Sequence, residues 1–312
     1  MSRADARSYA IIRWSAFTAW ILLAGIIGPA FRGAVDSWND AAELTFEISA
    51  WCIWAVGVVA FVVGRTRSIT ALRVAAPLAA AVGIAVGVLA EPIGPRVLAI
   101  VGSVIVAAFV LSGPSSRALA QGDAYGDEVR VPLRVPPALL LAPIPAALAI
   151  MGITFVVAPT LIANGRVIVG IIAVVVGLPV SVFALRSIDG TAARVAVFVP
   201  AGLTVVDGFT LAAPLHVPRG DVVSLHRHRD DAPRDDDTTA DLRVGAAGGI
   251  VVALAAPTSV VVRRGRAAAE SVTIDRFAIS PVTPTSFIDV ARLRGVGGIQ
   301  DAIAPPSNSS PS

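Results

Sequence analysis

Six apolar runs separated by short polar breaks occupy the first 186 residues: 10–31, 46–63, 71–90, 95–112, 138–160 and 167–185. Each lies near the ~20 residues that a helix needs to cross the hydrocarbon core of a bilayer. The pattern therefore predicts an α-helical bundle of six transmembrane spans over residues 1–186. Pro143, Pro145 and Pro159 fall within the fifth run and Pro179 within the sixth. A proline inside a span frees a backbone carbonyl that a neighbouring helix or water must satisfy, so kinked, closely packed helices are expected.

Past Arg186 the pattern changes to short β-branched runs: 194–199, 203–206, 214–217, 221–226, 241–244, 250–254, 258–263 and 272–279. Gly, Pro and Asp separate them, as in Pro200-Ala201-Gly202 and Asp207-Gly208, which predicts a small, mostly antiparallel β domain over 187–297. Thr283 is placed to cap a helix that starts at Pro284, with Phe287, Ile288 and Ala291 on its apolar side. One closing helix over 284–294 is expected. Residues 298–312, rich in Pro and Ser toward their end, read as a disordered tail.

Charge orients the spans. The connections after spans two and four and the segments flanking the bundle hold Arg3, Arg7, Arg13, Arg65, Arg67, Arg73, Arg117, Arg130, Arg134, Arg186 and Arg194; the opposite side holds only Arg32, Arg96 and Arg166. By the positive-inside rule the arginine-rich side is cytoplasmic, which places both termini, the 113–137 connection and the β domain inside the plasma membrane. Turn formers and balanced charge make 113–137 read as a loop. The first outer loop carries Asp36, Asp40 and Glu43 against Arg32. Trp14, Trp51 and Trp54 lie near span ends, as interfacial anchors do. The basic start also invites a secretory-signal reading, but the first run is longer than a signal's apolar core and no Ala-x-Ala step closes it.

Composition adds the exclusions. The chain is 312 residues long, 55% hydrophobic and only 15% charged, against about 25% charge in soluble domains. Every basic residue is arginine, and the formal charge of +3 is too small to suggest nucleic acid binding. One cysteine, Cys52, permits no intramolecular disulfide. Between about 47 and 63, 74 and 90, 97 and 112, 138 and 160, and 167 and 185 there is no Asp, Glu, Lys, Arg or His beyond the boundary positions, which argues against proton relays and ion pathways. Gly83 and Gly87 form a Gly-x-x-x-Gly spacing in span three that permits close helix approach, read as generic packing rather than a dedicated dimer motif.

Val195-Ala-Val-Phe-Val followed by Gly202-Leu-Thr-Val-Val, then Leu215-His-Val with Asp221-Val-Val, and Phe277-Ala-Ile-Ser-Pro-Val-Thr-Pro entering the helix, resemble bacterial pleckstrin-homology-like domains. That resemblance implies a curled sheet of about seven strands closed by a C-terminal helix. The whole is similar to multi-pass membrane proteins of actinobacteria. No catalytic motif and no cofactor comes with either resemblance.

Two clusters carry candidate chemistry. Arg263, Arg264 and Arg266 end a strand and enter a turn, where a domain tethered to the membrane meets anionic lipid headgroups. His226 and His228 share one face of an extended strand, beside Asp230, which is a weak metal-ligand pattern without a third placed ligand; a solvated strand end is the plainer reading. The sequence thus points to a non-enzymatic integral membrane protein whose cytoplasmic β domain binds lipid headgroups or a protein partner, with a transporter or channel as the alternative.

Overall fold

In the computed structural model, the described residues are 3–227, 239–263 and 269–299. They form two compact units, one of residues up to Gly126 together with Pro137–Ala193, the other of Asp127–Pro136 together with Arg194 onward. Among the described residues six helical segments are long and apolar enough to cross a membrane, and two small sheets and a C-terminal helix are also present.

The first unit contains α1 (Arg3–Val35), α2 (Asp40–Val63), α3 (Thr66–Leu89), α4 (Ile93–Val110), α5 (Gly113–Ala120), α6 (Pro137–Leu141), α7 (Pro143–Gly152), α8 (Ala158–Ala163) and α9 (Val167–Ala192). Helices α1, α2 and α3 begin several residues before their apolar runs, in polar sequence where capping groups can satisfy backbone atoms, whereas α4 is shifted by two residues and ends short of its run. Asn39 accepts from the Ala42 amide at 2.9 Å at the start of α2, and Gly64, at φ 59°, ends it. The side chain of Arg13 donates to the free carbonyls of Phe61 and Val62 in the same last turn.

Helix α3 is the central element. It is 56% buried along its most apolar stretch, where the other spans reach 17–28%, and it packs on α1, α2, α4, α7 and α9. Gly83 and Gly87 face α4: a Cβ at 83 would lie 2.5 Å from Ser103 Oγ, and one at 87 would lie 2.9 Å from the Arg96 carbonyl oxygen. The Gly-x-x-x-Gly spacing thus serves packing inside the chain. A second close approach joins α1 and α2, where Trp20 is fully buried against Gly57 and the two indoles of Trp20 and Trp54 donate to each other's carbonyls at 2.9 and 3.1 Å.

Span five is broken rather than merely kinked. Ala142, at φ −139°, separates α6 from α7, and a π-helical turn, Ile153–Val157, joins α7 to α8. Pro159 explains the wide turn: it has no N–H and its ring would clash with the carbonyl four residues back, so the Ala158 amide reaches Ile153 O, five residues back.

The second unit draws its first strand from the connection that reads as a loop. Its four-stranded antiparallel sheet has the order β1 (Val129–Pro132), β2 (Val195–Val199), β3 (Gly202–Val206), β4 (Leu215–Pro218). The second sheet contains β5 (Val222–Arg227), β6 (Thr239–Asp241), β7 (Ile250–Val262), β8 (Glu270–Ile279) and β9 (Gly298–Ile299), in the order β6-β8-β7-β5-β9. β1 pairs along its length with β2, from Val129 opposite Phe198 to Pro132 opposite Val195. Its alternation is real but only four residues long: Val129 and Val131 point into the core while Arg130 stays half-exposed.

The two sheets join at two seams. At one, the Arg134 amide donates to Ser280 O and the Val282 amide to Pro132 O; at the other, the Ala212 amide donates to Val261 O and that of Arg263 to Thr210 O. Between them lies one core that includes Val131, Leu133, Phe198, Leu203, Phe277 and Phe287, with the Phe198 and Phe287 rings 4.7 Å apart. The closing helix α10 (Pro284–Arg294) has the expected bounds, and Gly295 ends it at φ 59°. Thr283, however, makes no side-chain cap bond. Three other details differ from the sequence reading. The runs 250–254 and 258–263 form one strand with a register shift around Pro257, a residue that cannot donate to a ladder. Strand β6 lies at 239–241 rather than 241–244, where Gly245 and the positive φ of Val244 turn the chain. Gly298 and Ile299, assigned to the tail, pair in parallel with β5.

Candidate functional site

Of the arginine cluster, Arg263 is exposed immediately after β7, and its amide is held by Thr210 O at 2.8 Å. Arg264 and Arg266 lie outside the described residues, as does His228. His226 is half-buried on β5, opposite Val251 of β7. Among the described residues no group of three His, Cys, Asp or Glu side chains is placed to hold a metal ion. The third histidine, His216, is exposed on β4, its Nδ1 2.9 Å from Thr204 Oγ1 on β3. Among the described residues, Arg263 follows β7, His226 lies on β5 and His216 on β4, and no shared geometry gathers them into one metal site.

The most complete polar constellation in the β unit is one that composition conceals. Arg194, the first residue of the unit's second segment, is 1% exposed, and its partner Asp207 in the turn after β3 is fully buried. The guanidinium binds the carboxylate through two bonds, Nε to Oδ1 at 2.9 Å and Nη2 to Oδ2 at 2.8 Å. Its remaining donors reach Arg134 O at 2.7 Å and Leu242 O at 2.8 Å. Asp207 also accepts from the Phe209 amide and from Thr210 Oγ1. Four chain segments meet at this pair: the one that carries β1, the start of β2, the turn after β3 and the end of β6. A buried ion pair with all its partners filled is tolerated in a core, whereas half of it is not. Its chemistry is that of a staple; it offers neither an open face nor an unused lone pair to a ligand.

Within the bundle a concavity of about 510 Å³ lies between α1 and α2 and is also lined by Ala79 and Val82 of α3. Its walls are apolar, with Leu23, Ile27 and Phe31 from α1 and Ile53 and Trp54 from α2. At one end stand Arg32, Glu43 and Glu47, brought together because α1 and α2 are joined by the short turn 36–39. Glu47 accepts from Trp51 Nε1 at 3.2 Å, whereas the side chains of Arg32 and Glu43 have no hydrogen-bond or ion-pair partner among the described residues. Gly28 lines the groove and has nothing within 4 Å of where its Cβ would stand. The sequence does hold a signal for this feature: Glu43 and Glu47 are four apart, hence on one helix face, directly after an arginine that ends span one.

No protein-family model matches the chain, and neither a curated protein nor a solved structure is significantly similar to it.

Proposed function

We propose that the chain is a non-enzymatic membrane protein whose six-span bundle anchors a cytoplasmic β unit, and that this unit docks on anionic lipid headgroups as a scaffold or regulator. The observation that carries the reading is the pairing of β1 with β2. One strand precedes span five and the other follows span six, so two crossings leave one membrane face and return to it. The arginine excess on that side makes it the cytoplasmic one. Only Ala193 and Arg194 separate α9 from β2, so the unit is tethered at the surface, where each exposed base contributes about 1 kcal/mol of attraction to anionic lipid. Arg263, with Arg264 and Arg266 beside it in sequence, supplies those bases.

The test uses residues 127–136 joined by a short Gly-Ser linker to 194–299, which keeps both segments of the unit. Co-sedimentation with phosphatidylglycerol vesicles at low salt should fall by roughly ten- to a hundredfold when Arg263, Arg264 and Arg266 are all replaced by Gln, with a smaller difference at high salt. Phosphatidylcholine vesicles give the control. Equal binding by the two proteins at low salt removes the lipid reading and leaves a protein partner as the target. A solute pathway is the second reading, favoured by the break at Ala142 and the π-turn in span five, because irregular backbone at membrane depth occurs where it is packed in protein or lines a cavity. Solute flux from vesicles containing the full chain would establish it.

A further inference from the structure

We propose that the groove between α1 and α2 binds a zwitterionic phospholipid, with an acyl chain in the apolar trough, the phosphate on Arg32 and a headgroup ammonium between Glu43 and Glu47. The inference stands apart from the role of the β unit.

Three properties of the groove select this ligand. The first is length. From Leu23 to Arg32 the trough runs about 14 Å along α1, and from Glu43 to Trp54 about 16 Å along α2, at 1.5 Å per residue; either is close to half of the ~30 Å hydrocarbon core. A trough one leaflet deep, with charge only at its rim, matches one lipid tail and its headgroup.

The second is the sign of the charges. A guanidinium alone would select anionic lipid, and two carboxylates alone a cationic amphiphile. The rim presents both, at the end of one helix and the start of the next, so a headgroup that carries phosphate and ammonium on neighbouring atoms satisfies both. The side chains of Arg32 and Glu43 are not already committed to each other or to another described residue. A guanidinium binds phosphate through two parallel N–H bonds, and a compact primary ammonium donates three, enough to reach both carboxylates.

The third is the lining. Gly28 leaves the middle of the trough open where any side chain would fill it, while Leu23, Ile27, Phe31, Ile53 and Val82 give walls that an acyl chain wets and water does not. Trp51, half-exposed and bonded to Glu47, holds that carboxylate at the rim.

The test titrates the delipidated full-length protein in detergent with phosphatidylethanolamine or with phosphatidylglycerol bearing identical chains, and reads bound lipid by native mass spectrometry. Wild-type protein should half-saturate with one phosphatidylethanolamine at about tenfold lower concentration than with phosphatidylglycerol, as expected for charge-assisted contacts at a partly dry rim. Glu43→Gln with Glu47→Gln should abolish that preference, and Arg32→Gln should weaken both lipids. Gly28→Phe should lose the bound lipid. Gly25→Phe, one turn away on the same helix and equally unobstructed but outside the trough, should retain it, which separates blocking from misfolding. Equal affinity for the two lipids, a preference for phosphatidylglycerol, or undiminished binding by Gly28→Phe would each overturn the proposal.

Discussion

The bundle and the β unit use the same side chain, arginine, in opposite ways. In the bundle, Arg13, Arg65 and Arg73 lie toward the ends of the apolar runs and meet backbone or polar groups there. Arg13 covers the last carbonyls of α2, Arg73 donates to Thr191 at 2.7 Å, and Arg65 lies 3.9 Å from Asp123, which itself caps the Thr66 amide. In the β unit, Arg194 is placed in the core with its countercharge and two carbonyls. The solvents explain the contrast. A bundle already surrounded by hydrocarbon gains no driving force from apolar burial, so it is held by close packing at Gly57, Gly83 and Gly87 and by polar bonds near the water-facing ends. The β unit faces water, obtains its stability from apolar burial, and can retain one fully bonded ion pair to fix which segments meet.

The largest way to break that comparison is to remove β1. With it go three core residues of segment 127–136, Val129 and Val131 of β1 and Leu133 just after it, which are 5%, 0% and 1% exposed. At roughly 1.5–3 kcal/mol each, their loss takes several kcal/mol from a unit whose whole stability is of order 5–15 kcal/mol. Residues 194–299 alone should therefore fail to give a cooperative urea transition, whereas 127–136 linked to 194–299 should give one. A cooperative transition of equal midpoint without 127–136 would mean that β1 merely leans on the sheet.

Next in size is the ion pair. Asp207→Ala strands the Arg194 guanidinium in the core and should cost about 3–5 kcal/mol, read as a lowered urea midpoint of the linked unit. The double change Arg194→Met with Asp207→Leu should recover most of that loss, because replacing both partners leaves no charge unpaired. If the double variant is no more stable than the single one, the carbonyls of Arg134 and Leu242 matter more than the pair.

In the bundle the counterpart is Gly57→Leu, which forces a side chain into the Trp20 indole, 2.2 Å from where the new Cβ would sit. Overpacking of this kind costs about 1–3 kcal/mol and should lower the melting temperature of the full chain in detergent, while Gly25→Leu, in open space, should leave it unchanged. The smallest expected effect is that of Glu128→Gln. Its pair with Arg130, at 3.3 Å, is one-quarter exposed on both sides, so the linked unit should lose less than about 1 kcal/mol. A larger loss would show that partly exposed charge matters to this unit as much as buried charge does.

The six spans, the sheet-rich appendage and α10 were all legible from residue order, since each depends on a local rule. A span needs about 20 apolar residues whatever surrounds it, and a helix that starts at Pro284 and stops at Gly295 is punctuated by its own backbone chemistry. The resemblance to pleckstrin-homology-like domains anticipated strands closed by a helix, but it did not anticipate two sheets fed by two chain segments. Val129-Arg-Val-Pro is too short, and too deep within turn formers, to announce a strand until β2 is beside it.

What only the tertiary structure decided is partnership. By itself the sequence determined which stretches are long and apolar enough to span a membrane and that a sheet-rich unit follows them, because hydrophobic period acts over a few residues. It did not determine that Arg194, counted as a topological charge after span six, is buried against Asp207, or that Gly83 and Gly87 face α4. Nor did it show that Arg32, Glu43 and Glu47 share the rim of a trough. Those outcomes depend on contacts between segments distant in sequence, and a local pattern records how willing a residue is to be buried without recording what will bury it.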